Sequence, residues 1–368
     1  MRPDRRRFLR MAAAASFLGP LRVPAGERER GLVACRSTAN GRHLLTALDA
    51  DGGVRFDLPL PARGHGVAIQ PGGTQCAVFA RRPGTFLYVI DLAHGTPLHR
   101  LESPEDRHYC GHGVFDPAGR LLYVTENDYA NGRGVIGVYD AADGYQRLGE
   151  LPSHGIDPHE IRFRRDGRTL VVANGGIRTH PDAGRSKLNL GEMDSSLAFV
   201  DATDGRWLGD VRPPPDLRQL SIRHIDVAPD DTVCIAMQFE GAVDRHPPIV
   251  ALHRSQDGLT LLSAPAALQS TLRNYAGSAC WDATGEWFAV SAPRGNCVTF
   301  WTAAGALAGV APVPDGCGLA PGAVAGEFQL SSGNGDLLRW RAMQSEGLPM
   351  AGPESRAHRW DNHLYAAR

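Results

Sequence analysis

The stretch Phe115–Val124 (FDPAGRLLYV) joins a polar four-residue turn to a short hydrophobic run. Related turns, each followed by a β-rich run, begin at Ile69, Phe163, Val227 and Trp281. Aspartate, proline and glycine at such positions are typical of tight turns between strands. The recurrence predicts an all-β protein that is built from similar units.

A second turn closes a hairpin within each unit, as in Asp140–Gly144 (DAADG) and Asp201–Gly205 (DATDG). Asp-Gly is a strong hairpin signal because glycine readily adopts the positive φ that the turn requires. Predicted units start at His65, His112 and His159, which are 47 residues apart. This period is typical of the four-stranded blades of a β-propeller.

The two ends of the chain supply the last unit. Trp360–Ala366 (WDNHLYA) has the pattern of an innermost strand, and Leu32–Cys35, Leu44–Leu48 and Val54–Leu58 have the pattern of its missing partners. Joining them closes the ring and leaves no open sheet edge. We therefore predict an all-β, seven-bladed β-propeller with four-stranded blades over residues 26–368, with its last blade closed by the N- and C-terminal strands.

Residues 1–25 have the pattern of an export signal. Arg5–Arg10 (RRRFLR) precedes the apolar run Met11–Leu18, and Val23–Ala25 is a candidate cleavage site. This order is typical of a twin-arginine signal peptide, and the run is too short to span a bilayer. The sequence predicts export to the periplasm by the Tat pathway and no transmembrane helix.

The charge balance argues against nucleic acid as a partner. The whole chain has 39 basic and 40 acidic side chains, and residues 1–25 hold six arginines and one aspartate. The remainder therefore has 33 basic and 39 acidic side chains and a net charge of about −6. An acidic chain without a basic stripe is poorly suited to a phosphate backbone.

The seven cysteines are odd in number and show no Cys-x-x-Cys spacing. This pattern argues against a disulfide scaffold, a zinc knuckle and a c-type haem attachment site. We expect most of them to be buried strand residues, since a free cysteine behaves as a small hydrophobe.

Histidine recurs where the predicted inner strands begin, at positions that encircle one end of the channel. The five residues are His65, His112, His159, His224 and His363. Imidazole suits iron, copper, zinc and nickel, so convergence of these rings predicts a site for iron or another transition metal.

A structural role is the alternative for these histidines, because Gly-His at a blade start is also a structural feature of WD-type propellers. Counted back from the turn, His65 and His159 lie eight residues away, whereas His112 and His224 lie seven. One residue reverses the side-chain direction in a regular strand. All the rings can face one ion only if bulges correct the register, so both interpretations stay open.

A hydrolase of the lactonase kind is a second hypothesis. Glu160 is a candidate general base beside Arg162, and Arg162 or Arg178 would polarise a carbonyl. The sequence also allows a propeller that binds a partner without catalysis, and it leaves open whether the protein is an enzyme.

An insertion of roughly twenty residues in the third blade, between Ala173 and Phe199, lacks strand periodicity and is rich in polar side chains. This composition favours a loop that faces a substrate or partner, with a run of the preceding blade beside it. The candidate residues are Glu126, Asn127, Asp128, Asn174, Thr179, His180, Asp182, Arg185 and Lys187, the last being the only lysine in the chain.

Three stretches carry a family resemblance: Thr125–Tyr129 (TENDY), Asn174–Leu190 with its Thr-His-Pro-Asp and Lys-Leu-Asn-Leu segments, and Trp360–Leu364 (WDNHL). The chain resembles an uncharacterised family of exported bacterial propellers with a domain of unknown function, often encoded beside imelysin-type iron-uptake proteins. The resemblance covers essentially the mature chain and implies a periplasmic role with iron-uptake proteins, without established catalytic residues. A looser similarity through Pro158–Glu160 runs to YVTN-type and lactonase-type propellers.

Overall fold

The computed structural model describes residues 31–184, 186–255, 257–350 and 357–367. These residues form seven antiparallel sheets of four strands each. The predicted seven-bladed β-propeller is therefore confirmed, and the predicted export signal lies outside the described residues.

The strands of the first four sheets follow in chain order. They are β1 (Gly31–Thr38), β2 (His43–Leu48), β3 (Val54–Leu60), β4 (Gly64–Ile69), β5 (Gln75–Ala80), β6 (Phe86–Asp91), β7 (Thr96–Glu102), β8 (Arg107–Phe115), β9 (Leu121–Asp128), β10 (Arg133–Asp140), β11 (Gln146–Pro152), β12 (Pro158–Phe163), β13 (Thr169–Asn174), β14 (Ser196–Asp201) and β15 (Trp207–Val211).

The remaining strands complete the ring. They are β16 (Leu220–Val227), β17 (Val233–Phe239), β18 (Val250–His253), β19 (Leu259–Leu262), β20 (Ser278–Trp281), β21 (Trp287–Ala292), β22 (Cys297–Thr302), β23 (Leu307–Ala311), β24 (Gly316–Pro321), β25 (Glu327–Ser332), β26 (Leu337–Arg341), β27 (Leu348–Pro349) and β28 (His358–Ala367).

Helical segments in the described part of the chain are short and lie between strands. One α-helix spans Ala266–Thr271, and four single 3₁₀ turns span Pro181–Ala183, Leu190–Glu192, Pro215–Leu217 and Pro293–Gly295. None of the helices among these residues is long and apolar enough to cross a membrane.

The turn that recurs in the sequence is held by its aspartate. Asp116 Oδ1 accepts hydrogen bonds from the backbone N–H groups of Arg120 and Leu121, and Gly119 has a φ of 67°. Asp282 accepts in the same way from the N–H of Gly285. An aspartate that satisfies turn N–H groups and a glycine that adopts positive φ explain why this pattern marks each new hairpin.

The two ends of the described chain share one blade, as the sequence predicts. Strand β1 pairs with β28 on one side and with β2 on the other, so the sheet order is β28-β1-β2-β3. The C-terminal strand thereby becomes the innermost strand of the closing blade and leaves no open gap in the ring.

Burial decreases from the channel outwards. Strands near the channel, such as β9, are buried along their whole length, whereas the outermost β7 alternates between exposed and half-buried residues. Neighbouring blades pack through aromatic contacts such as Phe300 with Phe328, whose ring centroids lie 5.5 Å apart. The inner strands β28, β4, β8, β12, β16, β20 and β24 follow one another around the channel.

Candidate metal centre

Five histidine rings converge at the channel. They are His65 on β4, His112 on β8, His159 on β12, His224 on β16 and His363 on β28, and we call them the histidine cluster. The ring centroids of neighbours lie 4.5 to 6.0 Å apart, with His65 and His363 the closest pair. All are buried except His159, which is half-buried.

Backbone irregularities bring the rings to one point. Pairing with the next strand shifts register between Gly64 and Val67, and the other four histidine strands show comparable shifts at their histidines. A bulge re-aims a side chain that a regular strand would direct to the opposite face. The difference in register between His65 and His112 that the sequence shows is thereby absorbed.

Glycine permits the close approach of neighbouring histidine strands. A Cβ atom on Gly66 would lie 2.4 Å from the carbonyl oxygen of Gly111, and one on Gly111 would lie 2.6 Å from Cδ2 of His65. Gly111 also has a φ of 100°, a conformation that residues with a side chain rarely adopt. The glycines beside His65 and His112 therefore allow these two strands to approach each other, since a side chain at either position would clash.

Carboxylates fix the tautomers of two rings. Nδ1 of His65 lies 2.8 Å from Oδ1 of Asp361, and Nδ1 of His224 lies 3.1 Å from Oε2 of Glu160. The pKa of both carboxyl groups is lowered, despite burial, by these histidines and by neighbouring arginines, so both are ionised and accept only. In the neutral form of each ring, Nδ1 therefore donates and Nε2 keeps its lone pair.

The inward nitrogens lie at metal-ligand separations. Nε2 of His65 and Nε2 of His363 are 3.3 Å apart. Two imidazole nitrogens on one tetrahedral ion, with bonds of about 2.0–2.1 Å, are about 3.3 Å apart. Ligand atoms of His112, His224 and His363 lie within 4.8 Å of one another, and so do those of His65, His112 and His159.

His112 supplies an inward nitrogen that has no partner. Its Nε2 is buried and forms no hydrogen bond among the described residues, and its Nδ1 lies 3.7 Å from Oε1 of Glu160. Leaving a buried polar atom unpaired costs about 1–3 kcal/mol, so such an atom calls for an explanation.

His159 differs from the other four. Its Nδ1 lies 3.3 Å from Nη1 of Arg223, and an arginine can only donate. The lone pair of Nδ1 is therefore occupied, and a neutral His159 carries its proton on Nε2. This half-buried ring is arranged as a hydrogen-bond donor.

Burial disfavours the charged form of four rings in the cluster. Desolvation lowers the pKa of His65 and lowers those of His112, His159 and His363 well below the ordinary histidine value, and neighbouring rings or arginines add to the effect. A neutral imidazole is the form that binds a metal. The arrangement therefore favours cation binding over protonation at neutral pH.

The candidate hydrolase residues do not share one pocket. Glu160 and Arg162 form an ion pair at 2.5 Å and line a cavity of about 330 Å³ with His363 and Tyr365. Arg178 is exposed and lines a different cavity, beside Asn127, Tyr129 and Gly132. The oxygens of Glu160 are already engaged by Arg162, His224 and the backbone N–H of Ile225.

The insertion in the third blade faces a cavity above the histidine cluster. Thr179, His180 and Lys187 line this cavity, which measures about 280 Å³, together with His65, His159 and His224. Lys187 forms an ion pair with Glu240, just after β17. Asp182 is exposed, and Arg185 lies outside the described residues.

Four other predicted loop residues lie in or beside the blades, where each has partners. Glu126 accepts hydrogen bonds from Arg107, Arg147 and Tyr139. Asp128 contacts Arg107, Asn131 and Arg133. Asn174 donates to the carbonyl of Ser153, and Asn127 contacts Nε2 of His108.

Sequence reasoning missed several residues around the cluster. Asp361 orients His65 across 296 positions of the chain, and it was visible only as part of the terminal motif. Arg82 and Asp157 lie 3.0 Å apart beside the cluster, and Arg294 lines the same cavity. No spacing in the sequence relates these positions, because they lie in different blades that the ring of the propeller brings together.

The fold and the cluster define a β-propeller with a buried imidazole site at its channel. Residues 58–367 match the family described as "Protein of unknown function (DUF1513)", and the chain belongs to that family. No curated protein matches the chain.

Solved structures share the fold at low sequence identity. Hydrazine synthase from Kuenenia stuttgartiensis has a TM-score of 0.61 and 14% identity, over 88% of this chain and 99% of that one. The Cps50 (Swd1) β-propeller domain from Myceliophteria thermophila has a TM-score of 0.57 and 12% identity, over 84% of this chain and 94% of that one. These similarities establish the propeller alone.

Proposed function

We propose that the protein binds one transition metal ion at the histidine cluster. The ligand nitrogens come from His65, His112, His224 and His363. Two of these rings are oriented by hydrogen bonds from their Nδ1 atoms to Asp361 and Glu160. His159 lies on the cavity side of the ion as a donor. The function that follows is binding or delivery of a metal, with iron as the expected ion.

The observation that carries this proposal is the unpaired Nε2 of His112 beside other inward nitrogens. A proton between His65 and His363 satisfies that pair without metal, but no proton arrangement gives His112 a partner among the described residues. A cation beside it would give this nitrogen a partner together with ligand atoms of His224 and His363, which lie within 4.8 Å of one another and of His112. Carboxylate–histidine pairs behind the ligands are a common feature of metal sites.

We further propose that the protein is exported by the Tat pathway and acts in the periplasm with iron-uptake proteins. The twin-arginine pattern of residues 5–18 supports export. The family resemblance supports the link to imelysin-type partners. An amino-terminal fusion reporter that is exported only while Arg5 and Arg6 are intact tests the route.

The direct test is elemental analysis of protein that has been exported in its native host. We expect about one transition metal ion per wild-type chain and nearly none in a His112→Ala/His363→Ala variant, because two of four ligands are gone. A His94→Ala/His246→Ala variant is the matched control, since both of those histidines are exposed.

Equal metal content in all three proteins would end the proposal and leave a structural role for the cluster. Thermal unfolding of each variant shows whether a loss of metal arises from a loss of fold. A folded His112→Ala/His363→Ala protein without metal is the supporting result.

A further inference from the structure

The cavity above the histidine cluster is lined by more basic than acidic side chains. We call it the arginine cavity, and its charged lining consists of Arg81, Arg82, Arg223, Arg294, Lys187 and Asp157. Its volume of about 280 Å³ lies at the small end of ligand pockets. Such a pocket accommodates a small molecule and is too small for a folded partner.

Carboxylates of the protein pair with four of the five basic residues, since Asp361 pairs with Arg81, Glu240 pairs with Lys187, and Asp157 pairs with the other two. Asp157 is shared between Arg82 at 3.0 Å and Arg223 at 2.7 Å. Arg294 stacks on the ring of Tyr275 at 4.2 Å, and no carboxylate among the described residues forms an ion pair with it. Concentrated positive charge around a recess raises the local concentration of anions.

The donors in the cavity suit oxygen atoms. Guanidinium groups bind carboxylates and phosphates through paired hydrogen bonds. Thr179 Oγ1 is buried without a hydrogen-bond partner among the described residues, and it lies in the same lining. The proton on Nε2 of His159 adds a further donor on the side of the metal site.

We propose that the arginine cavity binds a small oxyanion with at least two negative charges, of the polycarboxylate or phosphate class. One end lies among Arg82, Arg223 and Arg294, and an oxygen at the other end coordinates the metal held by the histidine cluster. The inference rests on the proposed metal site, because that ion supplies the second anchor. It makes the cargo a metal–oxyanion complex rather than a bare ion.

The loop of the third blade contributes to the lining of the cavity. Thr179 and Lys187 reach the lining from this loop, and the ion pair of Lys187 with Glu240 ties it to the following blade. The only lysine of the chain is therefore a tether and a local positive charge for the same ligand.

The test uses the whole exported protein loaded with Co²⁺, whose visible spectrum reports its ligands. Titration calorimetry with malonate, inorganic phosphate and neutral glycerol separates carboxylate, phosphate and uncharged sources. We expect malonate or phosphate to bind and to change the Co²⁺ spectrum, and glycerol to do neither. Arg294→Gln and Arg82→Gln should each weaken anion binding about tenfold, the effect of one lost charged hydrogen bond.

Arg100→Gln is the matched control, because Arg100 is an exposed arginine that also stacks on a tyrosine, Tyr88, but lies on the outermost strand of its blade. Anion affinity that is equal in wild type and in both cavity variants, or no anion binding at millimolar concentration, would overturn the inference. Anion binding that leaves the spectrum unchanged would overturn the coordination step. Failure to bind Co²⁺ at all would instead overturn the proposed metal site.

Discussion

Seven inner strands line one channel. Five of them carry a histidine of the cluster, and two do not. Five consecutive inner strands, β28, β4, β8, β12 and β16, each supply one ring to the cluster. In their place β20 offers Ser278 and β24 offers Gly318. The channel is thereby divided into an imidazole side and a side with small residues.

The two inner strands without a cluster histidine, β20 and β24, show that a blade can complete the propeller without adding a ring to the cluster. Strand β24 has the same kind of register shift as the histidine strands, between Gly316 and Leu319, whereas β20 pairs regularly. Ser278 still contributes, because its Oγ lies 3.5 Å from Nδ1 of His363. A register shift is therefore not confined to the histidine strands, and the residue that lies at it decides whether that blade supplies a ring to the cluster.

The largest difference between the strands with and without a cluster histidine should be the effect on metal affinity of removing a carboxylate that orients a histidine. Asp361→Asn on β28 removes the obligatory acceptor for Nδ1 of His65, so the ring is free to place its proton on Nε2 and lose its ligand lone pair. We expect the metal affinity to fall by about 10- to 100-fold. Competition with a chromophoric chelator measures the change.

Asp315→Asn is the control for that variant, since Asp315 is an exposed aspartate directly before β24, a strand without histidine. It should retain wild-type metal affinity. Asp361 also pairs with Arg63 and Arg81, so thermal unfolding of each protein is recorded beside the affinity. A folded Asp361→Asn protein with unchanged affinity would refute the positioning role of this carboxylate.

A smaller effect is expected in the pH dependence of the metal-free protein. The folded-state pKa values of His65, His112 and His363 are lowered by burial, so the unfolded chain takes up protons first as pH falls below about 6.5. The free energy of unfolding should therefore decrease between that pH and the folded-state pKa values. Each of these three histidines should contribute to the loss, because each binds its proton more weakly in the folded state than in the unfolded state.

Urea unfolding at several pH values measures this dependence. A His112→Asn/His363→Asn variant should lose less stability on acidification than wild type. A His246→Asn variant, which removes an exposed histidine outside the cluster, should follow wild type. A double variant with the wild-type slope would mean that these rings are not held neutral by the fold.

The sequence predicts the fold well because the propeller depends on local signals. Turns such as Asp116 with Gly119 are fixed by hydrogen bonds within a few residues, so they are legible along the chain. The pairing of β1 with β28 was also predictable, since the C-terminal stretch has the pattern of an innermost strand and the N-terminal stretches have the pattern of the other strands of that blade. Because the same turns recur along the chain, they predict the number and kind of blades as well as the individual hairpins.

The site was predictable only in part, because its details depend on long-range geometry. The five histidines were identified from their place in the repeat, but their register suggested opposite directions until bulges resolved it. The pairing of His65 with Asp361 arises from ring closure and leaves no spacing signal. Glu126 and Asp128 show the opposite case, in which charged residues of a motif form a salt-bridge network of their own blade.

Convergence of four imidazoles on one ion is most directly tested by X-ray absorption at the K edge of the metal that the natively exported protein carries. The account predicts at least three imidazole nitrogens at about 2.0–2.2 Å, with the outer-shell scattering that imidazole rings produce. A first shell of oxygen atoms alone, without imidazole scattering, would contradict it.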